Sequence, residues 1–161
     1  WANVSNTPFR EYKHWAHEGG ISTPLIMHWP QGIAQDRRGK LEHQPGHVID
    51  VMATCLDLAD LKYPTEFQNR RPLPMEGKSL VPILCGEKRP GHETLAWKNP
   101  RGRALIMGDW KIIRPADKLP WELYDLSSDP GETANLAKRQ PERVKDMSAR
   151  YETWRQHVGA R

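Results

Sequence analysis

Cysteine is scarce: the chain has two in 161 residues, Cys55 and Cys85, thirty positions apart. They form neither a Cys-x-x-Cys pair nor a disulfide framework. Cys55, in a helical apolar pattern, and Cys85, beside Gly86, read as buried free thiols. Long apolar runs are missing as well. No window approaches the roughly 18 consecutive apolar residues of a membrane helix, and Trp1-Ala2-Asn3-Val4-Ser5-Asn6 lacks the charged and apolar regions of a signal peptide. No membrane insertion is expected, and the chain reads as a soluble piece. It starts at Trp1, without an initiating methionine and already in committed sequence, which reads as the loss of an N-terminal portion.

Neither sign of charge prevails. The 24 basic and 20 acidic residues are interspersed, for a formal net charge of +4. Only Asp36-Arg37-Arg38-Gly39-Lys40 and Arg70-Arg71 are locally basic, and neither is interleaved with the aromatics of a nucleic-acid stacking platform. Nucleic acid is therefore not an expected partner, whereas a modest positive charge suits an anionic small substrate. What the chain does have is apolar mass: 37% hydrophobic residues and seven tryptophans. A chain of this size buries about 68–70% of its unfolded surface, which excludes wholesale disorder. The length allows one domain or one large piece of a bigger one, and rules out two full catalytic domains.

The first half reads as loops around a few α/β elements. Pro24-Leu25-Ile26-Met27-His28-Trp29, closed by Pro30, has the pattern of a strand buried on both faces. From Val48 to Leu61, apolar residues at three- and four-residue steps predict an amphipathic helix, stopped by Tyr63-Pro64. A proline-rich loop follows to Pro74, then a short apolar turn, Gly77 to Leu84. After Pro90 four strand-like runs appear: Thr94–Trp97, Ala104–Met107, Trp110–Ile113 and Glu122–Asp125. Gly108-Asp109 between the middle two fits a type II′ hairpin. Asp129-Pro130-Gly131-Glu132 reads as a turn in which Gly131 takes the positive φ. Pro141 to Val158 predicts a C-terminal helix with Val144, Met147, Tyr151, Trp154 and Val158 on one face. Strands followed by a covering helix make a small α+β layer, with a soft boundary near Gly86 to Pro90.

The densest polar constellation is Asn6 to Gly20. Arg10 and Lys13 stand near Gly19 and Gly20, whose missing Cβ atoms let backbone approach a ligand or turn sharply. Residue chemistry alone leaves two readings open: an anion site, or a solvated lysine beside a plain turn. His14, His17 and Glu18 lack the His-Glu-x-x-His spacing that puts two ligands on one helical face, so no metal site is assigned in this chain.

The run Phe9-Arg10-x-Tyr12-Lys13, followed by Glu18-Gly19-Gly20-Ile21-x-x-Pro24-Leu25-Ile26 and Trp29-Pro30, resembles a segment of the arylsulfatase-type sulfatases. That segment carries a sulfate-binding lysine shortly before Glu-Gly-Gly. Later motifs agree in order: His47-Val48-Ile49-Asp50 with Ala53-Thr54, Glu76-Gly77-Lys78-Ser79-Leu80, Met107-Gly108-Asp109-Trp110-Lys111, and Leu123-Tyr124-Asp125-Leu126 through Asp129-Pro130-Gly131-Glu132 to Asn135-Leu136. The resemblance covers essentially the whole chain. It implies the C-terminal portion of a formylglycine-dependent sulfatase with an alkaline-phosphatase-like α/β fold. Residues 1–88 would belong to the catalytic domain, and residues 89–161 would form a small subdomain of about four antiparallel strands and a helix.

The same resemblance implies that Lys13 is the catalytic residue, holding a sulfate oxygen, with Gly19, Gly20 and Glu18 shaping and bracing the turn behind it. His47 falls at a family-like position before its helix. Trp97, Asn99 and Arg103 sit in a stretch like the family's substrate-specificity loop, with Asn99 where many relatives have histidine and Ile106 where arginine is frequent. Neither cysteine lies in a Cys-x-Pro-x-Arg context. The formylglycine and the divalent cation, usually calcium, are therefore expected outside this chain, in a missing N-terminal sulfatase portion. The fragment alone is expected to be inactive, its substrate a sulfated small molecule or glycan, and its location periplasmic or secreted. Two alternatives are a non-catalytic module binding sulfated glycans or other anions through Arg10, Lys13, Arg101 and Arg103, and a truncated product without an independent role.

Overall fold

The computed structural model describes residues 1–100 and 102–159. Its elements, in chain order, are α1 (Ala2–Ser5), α2 (Glu18–Ile21), a 3-10 turn (Gln35–Arg37), α3 (Asp50–Leu58), α4 (Val81–Leu84), β1 (Leu95–Asn99), β2 (Gly102–Met107), β3 (Trp110–Arg114), β4 (Glu122–Asp125) and α5 (Pro141–His157). They pack as two units, one made of Trp1–Leu25 with Glu93–Arg161, the other of Ile26–His92. The sequence reading drew one boundary, after residue 88. The packing instead groups the first 25 residues with the strands.

In the first unit the four strand-like runs form an antiparallel sheet in the order β1-β2-β3-β4. Met107 opposes Trp110 across the two-residue turn. Gly108 takes φ +57° there while Asp109 does not go positive, the sign pattern of a type II′ turn. Period-two alternation then sorts the side chains onto two faces. Leu105, Ile112 and Leu123 meet Met147 and Tyr151 of α5 in one cluster. On the other face Ala104, Ile113 and Tyr124 meet Ala16 from the N-terminal segment. The sheet is thus covered on both sides, by a helix and by a loop, and each large apolar side chain removed from water contributes roughly 1.5–3 kcal/mol.

Helix α5 forms where the three- and four-residue pattern predicts it. Pro141 occupies its first turn, where no N–H is needed. Arg155 and His157 lie in the last turn, the favourable end of the helix dipole for cations. The tyrosine at the centre of its buried face is flanked by two indoles, Trp121 at 5.3 Å and Trp154 at 5.5 Å between ring centroids. The turn after β4 departs from expectation in one respect: the positive φ falls on Glu132 (+56°) rather than on Gly131. Asp129 explains the shift, because its carboxylate accepts the N–H groups of Thr133 and Ala134 and so fixes the backbone that follows Glu132.

In the second unit α3 forms within the predicted stretch, but its buried side is not the apolar one. Asp50, Ala53 and Thr54 point inward, while Val48, Val51, Met52 and Leu58 are exposed. Asp50 organises the unit. Its carboxylate accepts N–H groups from His47 at 2.9 Å and Lys78 at 2.8 Å, pairs with Arg89 at 3.1 Å, and meets His92 Nε2 at 2.7 Å. Burial pushes its pKa up, yet these donors hold it below the ordinary value. Two expectations fail here. Pro24–Trp29 is not a strand: no partner strand meets it among the described residues, and Ile26 is 90% exposed. Cys55 and Cys85 are free, as expected, but exposed rather than buried, because Cys55 sits on the outward side of α3.

Candidate functional site

The stretch from Arg10 to Ile21 is held by its glycines. A Cβ on Gly19 would stand 2.2 Å from Glu11 O and 2.5 Å from Arg10 O, and one on Gly20 would stand 2.1 Å from Trp15 O. Neither glycine has a positive φ, so both are required for close backbone approach and not for a left-handed turn. Gly19 N–H donates to Arg10 O at 2.8 Å and closes the loop. Lys13 lies on this loop, exposed to solvent, and its ammonium makes no hydrogen bond or ion pair among the described residues.

Behind the loop lies a buried charge cluster. Lys111, fully buried on β3, places Nζ 2.7 Å from Glu18 Oε1 and 2.8 Å from Glu132 Oε1. Glu132 Oε2 accepts the backbone N–H of Glu18 at 2.9 Å. Glu18 therefore braces the loop, as its position in the motif implies, but through a lysine and a second glutamate from distant segments. Burial raises the Glu132 carboxyl above the usual range, and Lys111 opposes the rise. Nearby, Arg10 donates to Tyr124 Oη and to Glu132 O, each at 3.4 Å, and Tyr124 donates to Glu122 at 2.7 Å. Burial, with that glutamate, pushes the phenol pKa up.

His17 is 2% exposed, and neither ring nitrogen has a hydrogen-bond partner among the described residues. Burial, then the positive charges of Arg10 and Lys111, lower its pKa to about 4. The consequence for stability follows from proton counting. Below the ordinary histidine pKa of 6.5 the unfolded chain takes up a proton that the folded chain refuses. Stability should therefore fall as pH drops from about 6.5 to about 4, with no further His17 contribution below that. An NMR titration of the imidazole should show it neutral at pH 5, and a midpoint above 6 would contradict its burial between cations.

A cavity of about 360 Å³ lies in the same unit, lined by Trp15, Lys98, Asn99, Gly102, Arg103 and Asp117 among others. Two of the expected substrate-binding residues, Asn99 and Arg103, line it. Trp97 does not, and packs instead against the Ala16–Ala104–Ile113–Tyr124 cluster. His47 belongs to the other unit, half-buried, its Nδ1 accepting the Ile49 N–H at 3.3 Å and its pKa lowered by burial. Arg103 is ion-paired to Asp117. Trp15, Pro115, Ala116 and Asp117 are the cavity residues that motif reading passed over. Trp15 carries a usable signal, since it is an aromatic two residues after Lys13 whose ring would have to find a home.

Among the described residues no three His, Cys, Asp or Glu side chains come together as a metal-holding group. Of the cations invoked for an anion-binding module, Arg10 and Arg103 already have partners, and Arg101 lies outside the described residues. No helix among the described residues is long and apolar enough to cross a membrane.

Residues 10–157 match the family model described as N-sulphoglucosamine sulphohydrolase, C-terminal. An uncharacterized sulfatase of Schizosaccharomyces pombe is 33% identical over 154 residues, covering 91% of this chain and 27% of that protein. An N-acetylgalactosamine-6-O-sulfatase of Bacteroides thetaiotaomicron is 28% identical, covering 87% and 28%. A solved structure from a glycosaminoglycan-metabolism locus of Bacteroides thetaiotaomicron superposes with a TM-score of 0.67 at 27% identity, over 92% of this chain and 32% of that one. The structure of Ps i-CgsB in complex with k-i-k-neocarrahexaose reaches a TM-score of 0.76 at 23% identity over the same shares, a likeness of fold alone. The chain spans about a quarter of the length of the curated relatives it matches.

Proposed function

The chain belongs to the N-sulphoglucosamine sulphohydrolase C-terminal family, and from that premise we propose that it is the C-terminal part of a sulfatase hydrolysing carbohydrate or aryl sulfate esters. The reaction splits an S–O bond with water, releasing an alcohol or phenol and inorganic sulfate. Lys13 supplies the sulfate-binding cation. The observation that carries this reading is an exposed lysine with no partner among the described residues, on a loop built backbone-to-backbone against Glu18-Gly19-Gly20. An ammonium there offsets the charge that grows on the sulfate oxygens as the bond breaks.

Asn99 and Arg103, with Trp15, line the cavity assigned to the group that carries the sulfate. An indole edge and a guanidinium suit a sugar ring with polar substituents, and the sulfatase relative named for N-acetylgalactosamine 6-O-sulfate supports a carbohydrate ester. Trp97, on β1 with Asn99, packs against the Ala16–Ala104–Ile113–Tyr124 cluster, and it and His47 of the other unit are proposed as further substrate-binding residues. The nucleophile, a formylglycine, and a divalent cation, calcium, are assigned to the rest of the full-length protein, with a periplasmic or secreted location.

The full-length protein is expected to release inorganic sulfate from a chromogenic aryl sulfate or from a 6-O-sulfated amino sugar, and residues 1–161 alone to release none. Turnover by this chain alone would contradict the division of labour. Absence of turnover by the full-length protein, together with salt-sensitive binding of sulfated glycan by the chain alone, would favour the anion-binding module.

A further inference from the structure

We infer that Lys111 is a positioning residue for Lys13: through its two buried carboxylate partners it sets where the sulfate-binding loop sits on the sheet. The inference rests on the sulfate-binding reading of Lys13.

Lys111 follows Trp110 in an otherwise apolar strand run and is fully buried. Replacing the whole cluster, Lys111 with Glu18 and Glu132, by apolar side chains of similar volume would hold the loop to the sheet about as well, because desolvation offsets much of the attraction of a buried ion pair. A charged cluster adds geometry. The ammonium is fixed between Glu18 Oε1 and Glu132 Oε1, and the second oxygen of Glu132 holds the first N–H of α2. Glu132 does this from a left-handed backbone conformation, φ +56°, which a glutamate adopts only when its surroundings over-determine it. From Glu18 the constraint runs into the loop without slack. Gly19 N–H reaches Arg10 O at 2.8 Å, and the carbonyls of Arg10, Glu11, Tyr12 and Trp15 crowd the two glycines. Lys13 lies between those carbonyls in sequence. A displacement of Glu18 therefore moves both feet of the loop that carries Lys13, and a misplacement of about 1 Å at a reacting group can cost on the order of a hundredfold in rate.

The test is a double-mutant cycle in the full-length protein, reading kcat, KM and competitive inhibition by inorganic sulfate for Lys13→Ala, Lys111→Met and the pair. Lys111→Met should lower kcat/KM by about tenfold or more and weaken sulfate inhibition. In the Lys13→Ala background the same change should alter kcat/KM by less than about twofold, because the group it positions is gone. An undiminished effect in that background would mean that Lys111 only supports the fold and would overturn the inference. A silent Lys13→Ala would overturn the sulfate-binding reading itself, and this inference with it. If Lys111→Met does not fold, Glu132→Gln takes its place in the cycle with the same two outcomes, since it keeps the acceptor for the Glu18 N–H and the side-chain volume.

Discussion

Replacing Lys13 with alanine in the full-length protein is expected to lower kcat/KM for a sulfate ester by about a hundredfold or more, with thermal stability essentially unchanged. Removing one preorganised donor from a site of developing negative charge typically costs 10²–10³-fold, on the order of 3–4 kcal/mol. The sulfate group is charged before the reaction begins, so part of the ammonium's contribution is uniform binding and should appear in KM. The part that grows as the S–O bond breaks should appear in kcat. Stability should not follow, because Lys13 is exposed and without a partner among the described residues, and such surface changes stay within about 0.5 kcal/mol. Steady-state kinetics beside a thermal melt separate the two effects. A kcat/KM within about threefold of wild type would sink the assignment.

The second large effect concerns stability. Lys111→Met strands two carboxylates, Glu18 and Glu132, in a site where the lysine has no exposed surface. Breaking a buried pair from one side costs about 3–5 kcal/mol, because an uncompensated charge stays behind. Adding Glu18→Gln and Glu132→Gln to Lys111→Met should restore most of that loss, since all three groups are then neutral. The cost should also shrink as pH falls. Burial already raises the Glu132 carboxyl and Lys111 opposes it, so without the lysine the folded-state pKa rises further. A carboxyl with a raised folded pKa binds a proton more readily in the folded chain, and its penalty is full at neutral pH and relieved at low pH. Urea denaturation at pH 7.5 and pH 5 checks this; an equal loss at both would show that the carboxylates are not the cause.

Most of the sheet-and-helix subdomain was legible because its signals are local. Gly108-Asp109 between two apolar runs, and the spacing from Val144 to Trp154, each fix an element without help from distant residues. The failures share a physical cause, which is that burial depends on neighbours the pattern does not contain. Pro24–Trp29 has strand composition but no ladder partner. Helix α3 turns Asp50 and Thr54 inward because Lys78, Arg89 and His92 supply donors to the one and Leu80 N–H to the other. At the candidate site, the motif with its glycines located the Lys13 loop. The residues that seat it stayed hidden, because Glu18 finds Lys111 93 positions along the chain and Glu132 at 114. The one local hint was a lysine in the strand run Trp110-Lys111-Ile112-Ile113, which alternation turns toward the loop.

That separation has a consequence during synthesis. The carboxylate that grips Glu18 is made 114 residues after Glu18 itself. At about 5–20 residues per second the delay is roughly 6–23 s. For most of it the ammonium, its glycines and the buried imidazole beside them lack the complete sheet, whose last strand ends at Asp125. The sulfate-binding loop thus waits for a residue made well after it before it takes its final form. A nascent chain stalled before Glu132 would carry it in an open, protease-sensitive state.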